Sequence, residues 1–553
     1  MTTSARTEPI DHVFPTLAPS YVERLRRYGQ ARHVSRGDIL LEPGTSDPHC
    51  FVVVSGSLEI VRETRETETL IHTHGPGQFT GEANMLSGRR ALVRIRAREN
   101  SEIIDIDRPQ LLRLLQTDTE IGEIVTRAFI LRRAELIGRG YGDAVLLGSN
   151  HCAGTLRVRE FLTRNGHPFQ SIDLDTDDGV QELLDTFGIG PNDIPVLICR
   201  CEIVLRNPTN QEIADCLGFN ESVDLGQLRD VVIIGAGPSG MAAAVYAASE
   251  GLDALVVEMN APGGQAGSSS RIENYLGFPN GISGQELASR AWNQAQKFGA
   301  GLVVARKAVH LLCERRPYAV EIDGGQRIGA RTIVIAAGAQ YRKPALPRLG
   351  EFENAGVYYG ATFMEAQLCK DEEVAVVGGG NSAGQAAVFL ATVAKHVHVF
   401  VRSRGLADTM SRYLVRRIED NDRITLRVET EITELEGDRH LEAIAWRDGP
   451  TGATERRDIR HLFIMTGAAP STEWLDQCLV CDDKGFIKTG ADLTRDDLLA
   501  AEWPLARAPH TLETSLPGIY AVGDVRSGSM KRVASAVGEG AAAVALVHRS
   551  LAE

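Results

Sequence analysis

The sequence predicts a multidomain protein in which an N-terminal β-roll and a small α/β domain precede two doubly wound α/β domains, the second inserted in the first. Three observations lead to this prediction. Short strands separated by glycines occupy the N-terminal segment, as in "GDILLEPGTSDPHCFVVVSGSLEIVRE". Strands and helices alternate from Asp143 onward. Two glycine-rich turns then follow, each between an apolar strand and an alanine-rich helix.

Length, charge and hydropathy limit the classes of protein to which this chain can belong. A chain of 553 residues is too long for one hydrophobic core. Its net charge of −14 argues against a nucleic-acid partner, because phosphate binding needs an excess of lysine and arginine. We find no apolar run long enough to span a bilayer, and the first residues lack the apolar segment of a signal peptide. We therefore expect a cytoplasmic protein with no membrane partner and no metal site, and its nine scattered cysteines suit a reducing compartment.

Changes of pattern along the chain give the domain boundaries. The predicted units are residues 1–108 (β-roll), 109–140 (connecting helix), 141–222 (small α/β domain), 229–341 (first part of the first doubly wound domain), 342–466 (inserted domain) and 467–553 (second part of the first doubly wound domain). The connecting helix carries an apolar stripe at helical spacing, formed by Ile121, Ile124, Val125, Ala128 and Leu131. This stripe either pairs with its copy in a dimer or packs on its own β-roll.

The end of the β-roll, "FTGEANMLSGRRALVRIRA", resembles the phosphate-binding cassette of cyclic-nucleotide-binding domains. Gly81 and Glu82 match the family's Gly-Glu pair, in which the glutamate takes the ribose hydroxyl. The family's phosphate-binding arginine aligns with Ala91, and Arg90 lies one residue early. A one-residue slip on a strand turns a side chain to the other face, so we expect weak or absent cyclic-nucleotide binding. The β-roll then serves packing or protein contact, unless the loop absorbs the slip.

The small α/β domain has a β-α-β-α-β order, and Ile194-Pro195 opens its third strand. This arrangement resembles the thioredoxin- and glutaredoxin-like fold, which implies a cis proline that faces a redox loop. The loop here is "NHCAGTLRV", which contains Cys152 but has Thr155 at the second cysteine position. A scaffold role is favoured over a lone reactive thiolate at the helix start. Cys199 and Cys201 share a strand face and are interpreted as core packing.

The first glycine-rich turn lies in "VVIIGAGPSGMAAAVYAASEGLDALVVEMN". Gly235, Gly237 and Gly240 provide the tight turn, the close approach to a pyrophosphate and the helix–strand contact of a Rossmann-like domain. Glu258 ends the second strand, where a ribose hydroxyl needs an acceptor. Near the C-terminus, the apolar strand of "GIYAVGDV" ends at Asp524 before a helix of small residues, which is typical of the second half of an FAD site.

Four segments together resemble the thioredoxin reductase family: "GAGPSGMAAAVYAA", "APGGQAGSSSRIENYLGFP", "VVGGGNSAGQAA" and "GIYAVGDV". The resemblance covers residues 230–553. It implies a homodimer, a nucleotide domain that rotates relative to the flavin, and FAD as a cofactor. The residues that it implies for FAD are Gly235, Gly237, Pro238, Ser239, Gly240, Glu258, Gln265, Asn274, Gly523, Asp524, Arg532, Val533 and Ala534.

The inserted domain contains the second glycine-rich turn, a G-x-G-x-x-A sequence. Its second strand, "HVHVFVRSR", ends in basic residues and offers no acid where NAD would need one. An arginine at this place accommodates the 2′-phosphate of NADPH, so NADPH is the predicted second cofactor. The predicted NADPH-binding residues are Gly378, Gly380, Asn381, Ser382, Ala383, Arg402, Ser403 and Arg404.

The segment "GATF", residues 360–363, departs from the family pattern. Thioredoxin reductases hold a Cys-x-x-Cys pair followed by an acid at this place, whereas this chain has no cysteine there and Met364 in place of the acid. Phe363, which could stack near the flavin ring, and Glu365, one position beyond the acid, are the candidate catalytic residues. Direct thioredoxin reduction is therefore not expected, since a dithiol relay needs two thiols that can close on each other.

The resulting hypothesis is an FAD-dependent NADPH oxidoreductase that passes electrons to an acceptor other than a local dithiol. The acceptor is a small molecule, such as a quinone, an electrophile or dioxygen, or a small redox protein. One alternative is a disulfide reductase that uses Cys152 or the pair Cys478 and Cys481 as a remote relay. Another is a redox sensor whose N-terminal domains bind partners.

Overall fold

The structure, a computed structural model, describes most of the chain. It describes residues 10–553 except 47, 64–67, 82–83, 88, 139–143, 150–151, 175–192, 200–202, 222, 270, 342, 354, 362, 407–409 and 467. Among these residues, no helix is both long and apolar enough to cross a membrane.

The first unit is a β-roll with flanking helices. Its elements are α1 (Ile10–Val13), α2 (Pro19–Leu25), β1 (Gln30–Val34), β2 (Ile39–Leu41), β3 (Cys50–Ser55), β4 (Leu58–Glu63), β5 (Glu68–His74), α3 (Asn84–Ser87), β6 (Arg94–Ala97), β7 (Ser101–Ile106), α4 (Arg108–Thr117) and α5 (Thr119–Gly138). The strands form two antiparallel sheets, with the orders β1-β7-β3 and β2-β6-β4-β5. The predicted β-roll is present.

The prediction of one connecting helix over residues 109–140 is wrong, because the chain forms two helices that meet at Asp118. The Asp118 carboxylate accepts a hydrogen bond from the Ile121 amide at 3.2 Å and pairs with Arg24, so it caps a new helix. The apolar stripe of α5 packs on its own β-roll, where Ile121, Val125 and Phe129 are almost fully buried. The second of the two interpretations of this stripe is therefore confirmed.

The second unit is a small four-stranded domain. Its elements are β8 (Ala144–Gly148), α6 (Ala153–Arg164), β9 (Phe169–Asp173), β10 (Val196–Cys199), β11 (Ile203–Arg206) and α7 (Asn210–Cys216). The strand order is β9-β8-β10-β11, in which β8 and β9 are parallel and β10 is antiparallel to both of its neighbours. The predicted second helix of this unit, near residues 180–188, lies outside the described residues.

The Ile194-Pro195 peptide bond is cis, as the resemblance implied. Pro195 faces the start of α6, because a Cβ built on Gly154 would lie 2.7 Å from the proline ring. Cys152 is half-buried at the N-cap of this helix. Cys199 is fully buried, which confirms its interpretation as core packing, whereas Cys201 lies outside the described residues.

The third unit begins a mixed sheet that the end of the chain completes. Its first part contains β12 (Arg229–Ile234), α8 (Pro238–Ser249), β13 (Ala254–Glu258), α9 (Gly264–Gly267), α10 (Gly284–Lys297), β14 (Gly301–Val304), β15 (Ala308–Leu312), β16 (Tyr318–Ile322), β17 (Arg327–Ile335) and β18 (Ala339–Tyr341). The sheet order is β14-β13-β12-β17-β16-β15. The parallel strands β12, β13 and β14 are apolar because both of their faces are buried.

The inserted unit has a parallel sheet and an antiparallel meander. Its elements are β19 (Val357–Tyr358), α11 (Phe363–Leu368), β20 (Glu373–Val377), α12 (Asn381–Leu390), β21 (His396–Phe400), α13 (Arg412–Glu419), β22 (Ile424–Arg427), β23 (Thr430–Gly437), β24 (Leu441–Asp448), β25 (Thr454–Arg457) and β26 (His461–Ile464). The parallel order is β19-β26-β20-β21-β22, and β23-β24-β25 forms the meander. A short 3₁₀ turn, Leu349–Glu351, precedes these strands.

The chain then returns to the third unit. The returning elements are β27 (Ala468–Pro470), α14 (Arg495–Ala500), β28 (Ile519–Ala521) and α15 (Val533–Ala552), with 3₁₀ turns at Glu473–Leu475, Gly490–Asp492 and Gly523–Val525. The outgoing strand β18 and the returning strand β27 pair antiparallel, so they form a two-stranded link to the inserted unit. Strand β28 lies parallel beside β17 and completes the sheet. Helix α15 packs closely on α8, because Gly540 leaves room for the Ser239 carbonyl.

A disulfide joins the two parts of the third unit. Cys313, next to β15, is bonded to Cys478, and their Cα atoms are 6.4 Å apart. Cys478 and Cys481, the pair considered as a remote relay, are therefore not bonded to each other. The chain after the Glu473–Leu475 turn packs against β15 and presents Cys478 to Cys313, while Cys481 remains a free, half-buried thiol.

We expect peptide mapping under non-reducing conditions to recover a cross-linked pair that contains Cys313 and Cys478. Because the bond closes a sequence separation of 165 residues, its loss in Cys313→Ser should lower the free energy of unfolding by about 2–4 kcal/mol. Chemical denaturation measures this change, and Cys216→Ser, which removes a free thiol, is the control. Recovery of Cys478 as a free thiol from the unreduced protein would contradict the assignment.

Candidate functional site

A cleft of about 710 Å³ lies between the third unit and the inserted unit. It brings together most of the residues predicted from the sequence for FAD. Those that line it are Gly235, Gly237, Pro238, Ser239, Glu258, Gln265, Asn274, Asp524, Arg532 and Val533, and two residues predicted for NADPH, Asn381 and Ser382, line it as well. The predicted residues that do not line it are Gly240, Gly523, Ala534, Gly378, Gly380, Ala383, Arg402, Ser403 and Arg404.

The first glycine turn is shaped by two close approaches of the backbone. A Cβ on Gly235, whose φ is +103°, would overlap the carbonyl oxygen of Ala336. A Cβ on Gly240 would overlap the carbonyl oxygen of Gly235, so this glycine shapes the turn although it does not line the cleft. In contrast, Gly237 has open space on its cleft side, where its nearest neighbour to a built Cβ is Gly264 at 3.9 Å. The turn therefore fits a pyrophosphate that approaches the backbone closely.

Three helices of at least ten residues begin at this region without a side-chain cap: α8 at Gly237, α12 at Gly380 and α15 at Arg532. Other helices of the same two units do have caps, for example from Ser283 and Thr494. The first-turn N–H groups of an uncapped helix can donate to an anion, and the helix dipole favours negative charge there. Three such ends around one region fit the phosphates of two dinucleotides.

Glu258 is positioned as an acceptor for a ribose hydroxyl. Its side chain is 7% exposed, and it accepts hydrogen bonds from the amides of Ala236 at 2.7 Å and Asn260 at 2.9 Å. Burial raises the pKa of this carboxyl, while these amides and the nearby Arg164 oppose the rise. The two backbone bonds hold the carboxylate at the end of β13, where the sequence predicted it.

Asp524 lies in the 3₁₀ turn after β28 and lines the cleft, and burial raises its pKa. The preceding Gly523 is not part of the cleft lining, and its N–H donates to Glu539 at 2.7 Å. At the start of α15, Val533 lines the cleft whereas the Ala534 side chain is exposed. Ala534 can therefore contribute to the predicted site only through its main chain.

The "GATF" segment contributes its first residue to the described cleft lining. Gly360 lines the cleft, and a Cβ built on it would lie 3.4 Å from Ser268 Oγ. Helix α11 starts at Phe363, whose side chain lies outside what the structure describes, so its stacking on a flavin stays a prediction. Glu365 lines the cleft. The described part of the lining contains no cysteine.

The basic residues predicted for NADPH follow the end of β21. Strands β20 and β21 are parallel neighbours, so they end at the same edge of the sheet, beside the turn at Gly378. Arg404 is 93% exposed and has an ion pair of 3.4 Å with Glu429. Arg402 is exposed and has no hydrogen-bond or ion-pair partner among the described residues. This guanidinium is therefore available to a 2′-phosphate, although it lies outside the cleft lining.

The sequence did not reveal that the second unit reaches this cleft. Glu160 and Arg164, at the C-terminal end of α6, belong to its lining. Arg164 donates hydrogen bonds to the carbonyls of Gly264 at 3.0 Å and Ala261 at 3.4 Å. It thereby braces the loop between Glu258 and the predicted FAD residue Gln265. No local signal could have shown this, because α6 reads as an ordinary amphipathic helix.

A second contact ties the inserted unit to the third unit. The Glu273 carboxylate accepts hydrogen bonds from Tyr413 Oη and Arg417 Nη1, both at 2.9 Å. Tyr413 and Arg417 lie on α13, whereas Glu273 belongs to the "RIENYLGFP" segment. This contact holds one relative orientation of the two units.

Comparisons with known proteins agree with this geometry. Residues 229–540 match the family model of pyridine nucleotide-disulphide oxidoreductases, and residues 31–118 match that of the cyclic nucleotide-binding domain. A thioredoxin reductase of Mycolicibacterium smegmatis is 32% identical over 326 residues, which are 59% of this chain and 97% of the relative. A thioredoxin reductase of Bacillus subtilis (strain 168) is 30% identical over 328 residues, 59% of this chain and 96% of the relative. The structure of Lactococcus lactis thioredoxin reductase in the FR conformation matches with a TM-score of 0.52 and 27% identity, over 59% of this chain and 99% of that one.

We expect Arg164→Ala to weaken FAD binding by about tenfold, because the brace on the loop beside Glu258 is lost. Titration of the flavin-free chain with FAD, followed by quenching of flavin fluorescence, gives the dissociation constant. Arg164→Lys should recover part of the affinity. Arg290→Ala removes an exposed arginine outside the cleft lining and serves as the control. An unchanged dissociation constant in a folded Arg164→Ala protein would contradict this role.

We expect Arg402→Ala to weaken binding of NADP⁺ by about tenfold and to leave that of NAD⁺ unchanged, because only NADP⁺ carries the 2′-phosphate. Calorimetry on the FAD-loaded protein measures both. Arg404→Ala should have a smaller effect, since this side chain is already paired with Glu429. Equal losses for the two nucleotides would show that Arg402 does not read the phosphate.

Proposed function

Because this chain belongs to the pyridine nucleotide-disulphide oxidoreductase family and is an FAD-dependent NAD(P)H oxidoreductase, we propose that it passes electrons from FAD to an acceptor. In this transfer the chain does not use a dithiol of its own nucleotide-binding domain. The cofactors of the family are FAD and NADPH. The acceptor is a small molecule or a small redox protein. The observation that carries the proposal is the cleft wall at Gly360, because the described lining of the cleft contains no cysteine.

The free cysteines of the described residues support this proposal by their positions. Cys152 is the N-cap of α6, and Glu160 is the first residue of this helix that lines the cleft, so about 12 Å of helix separates Cys152 from the lining. Cys369 is fully buried, which raises the pKa of its thiol to about 12. Burial also raises the pKa of Cys481. The remaining free thiols, Cys50, Cys199 and Cys216, lie in the first and second units.

The residues of the cleft have separate tasks in this proposal. FAD, when bound, supplies a ring that accepts reducing equivalents from NADPH and gives them up to the acceptor. Glu258 holds the ribose, and the uncapped helix ends hold the phosphates. Glu365 is the carboxyl group that α11 contributes to the cleft, so we assign it the role of proton donor to a reduced acceptor. The buried Tyr358 beside it stays protonated, because burial and the Glu365 charge raise the pKa of its phenol.

Disulfide reduction is the second candidate function, and the Cys313–Cys478 disulfide favours it. This bond lies in the same unit as the FAD residues, and Trp474, in the 3₁₀ turn just before Cys478, lines the cleft. The relatives from M. smegmatis and B. subtilis are named thioredoxin reductases. In this candidate the disulfide, rather than a pair at residues 360–363, relays electrons.

We also propose the division of the chain made from the sequence, with a thioredoxin-like domain at residues 141–222 and the nucleotide domain at 342–466 inserted between 229–341 and 467–553. The strand order β9-β8-β10-β11 with a cis proline before β10 supports the first assignment. The two-stranded link β18–β27 supports the second. A homodimer and a cytoplasmic location complete the proposal.

The stoichiometry of reduction separates the two functions. We expect anaerobic titration with dithionite to consume two electrons per FAD in the native protein, because the described lining of the cleft contains no cysteine. The variant Cys313→Ser/Cys478→Ser should consume the same number. No thiol–flavin charge-transfer band should appear during partial reduction.

Uptake of four electrons by the native protein and two by the double variant would overturn the proposal in favour of disulfide reduction. A matched control, Cys216→Ser, removes a thiol outside both the disulfide and the cleft lining and should leave the titration unchanged in either case.

A further inference from the structure

Arg89 of the β-roll is buried against the second unit. It follows helix α3, in the segment that resembles the phosphate-binding cassette, and it is 7% exposed. Its guanidinium lies over the ring of Phe219, 4.2 Å from the centroid, and its Nη1 donates to the carbonyl of Asn165 at 2.9 Å. Both of these partners belong to the second unit. This buried cation therefore joins the two units.

The residues after Arg89 show how the rest of the cassette segment is used. Arg90 pairs with the carboxylate of Glu221, also in the second unit. Ala91, the position of the family's phosphate-binding arginine, is buried in the β-roll, and Glu82 lies outside the described residues. That cyclic nucleotides bind weakly or not at all stays a prediction, and the engagement of Arg90 with another unit supports it.

A first path leads from Arg89 to Glu258 through the end of helix α6. Asn165, whose carbonyl accepts the hydrogen bond from Arg89, is the C-cap of this helix and is 6% exposed. Its side-chain amide donates to the carbonyl of Asn260 at 3.4 Å. The backbone N–H of Asn260 in turn donates to Glu258 Oε1 at 2.9 Å. Arg89 therefore supports the loop that holds one oxygen of this carboxylate.

A second path leads from Arg89 through the segment after α7. Phe219, which carries the Arg89 guanidinium on its ring, is followed by Asn220. The Asn220 side chain makes two hydrogen bonds with the backbone of Val304: Nδ2 donates to the carbonyl and Oδ1 accepts from the N–H, both at 2.9 Å. Val304 ends β14 and is the register partner of Glu258 in β13. The second unit thus also holds the strand that lies beside Glu258.

We propose that Arg89 is a positioning residue for FAD, although it lies in the β-roll and outside the described cleft lining. It acts on Glu258 from two sides, through the loop after β13 and through the neighbouring strand β14. A carboxylate that is already held in place loses little freedom when it accepts a ribose hydroxyl, so this support raises the affinity for FAD. The position of the β-roll is thereby coupled to the affinity of the cleft for its cofactor. The inference rests on the assignment of Glu258 to the ribose in the proposed function.

Titration of the flavin-free, full-length chain with FAD, followed by quenching of flavin fluorescence, tests the proposal. We expect Arg89→Met, which keeps an apolar stem over Phe219 but removes the guanidinium, to weaken FAD binding by about fivefold. Arg89→Lys should recover part of the affinity, because an ammonium group can still donate to the carbonyl of Asn165. Arg36→Met, on an exposed arginine of the same β-roll, is the matched control and should bind FAD like the native protein.

A second variant tests the path through β14 without changing the β-roll. Asn220→Ala removes both hydrogen bonds to Val304 and should weaken FAD binding by about fivefold as well. Asn100→Ala, on an exposed asparagine, should leave the dissociation constant unchanged. Near-ultraviolet circular dichroism shows whether each variant is folded.

A double-mutant cycle separates positioning of Glu258 from a general loss of structure. Glu258→Ala alone should weaken FAD binding, because the ribose loses its acceptor. In this background Arg89→Met should change the dissociation constant by less than about twofold, since the group that Arg89 positions is already absent. If Arg89→Met does not fold, the same cycle with Asn220→Ala decides the question.

Two results would overturn the proposal. The first is native affinity for FAD in folded Arg89→Met. The second is an equal loss of affinity on Arg89→Met in the native and Glu258→Ala backgrounds, because Arg89 would then not act through Glu258. Native affinity in folded Glu258→Ala is a separate outcome: it would refute the assignment of Glu258 to the ribose, and the proposal would fail with it.

Discussion

The arrangement of the units depends on the contacts that the C-terminal end of helix α6 makes with its neighbours. Arg89, beside the cassette of the β-roll, donates to the carbonyl of Asn165 at 2.9 Å. The amide of Asn165 donates to the carbonyl of Asn260 at 3.4 Å, in the loop after β13. The neighbouring Arg164 bonds the carbonyl of Gly264. Three units thus meet within a few residues, and the wall of the cofactor cleft includes a part of the second unit.

Electrostatics explains why the cleft fits two dinucleotides. The N-termini of α8, α12 and α15 are left without side-chain caps where each meets the predicted cofactor region, and the residues at these points include two glycines. A folded chain usually satisfies such N–H groups with side chains, as it does at α10 with Ser283. Leaving them open costs stability that anionic ligands restore. Bound dinucleotides therefore stabilise the arrangement that binds them.

Motifs that are local in the sequence could be predicted from it. The turn at Gly235 follows from contacts within one strand–turn–helix unit, and Glu258 ends the next strand, so spacing alone placed both. The absence of cysteine at residues 360–363 can likewise be read directly from the sequence. The structure places Gly360, the first of these residues, in the cleft lining. Arg90 and Ala91 lie just before β6, which begins at Arg94, and the structure shows their side chains in different surroundings: Ala91 is buried in the β-roll, whereas Arg90 pairs with Glu221.

Contacts between distant segments were decided only by the tertiary structure. The Cys313–Cys478 bond spans 165 residues, so the spacing of cysteines along the sequence did not indicate it. Asp118 interrupts a helix because it meets Arg24 from the start of the chain. Arg164 belongs to the cleft only because α6 docks on another unit. The sequence by itself determined the local geometry of the glycine turn and of the strand end at Glu258, since short-range sterics and hydrogen bonds set both, whereas long-range packing determined which distant segments lie beside them.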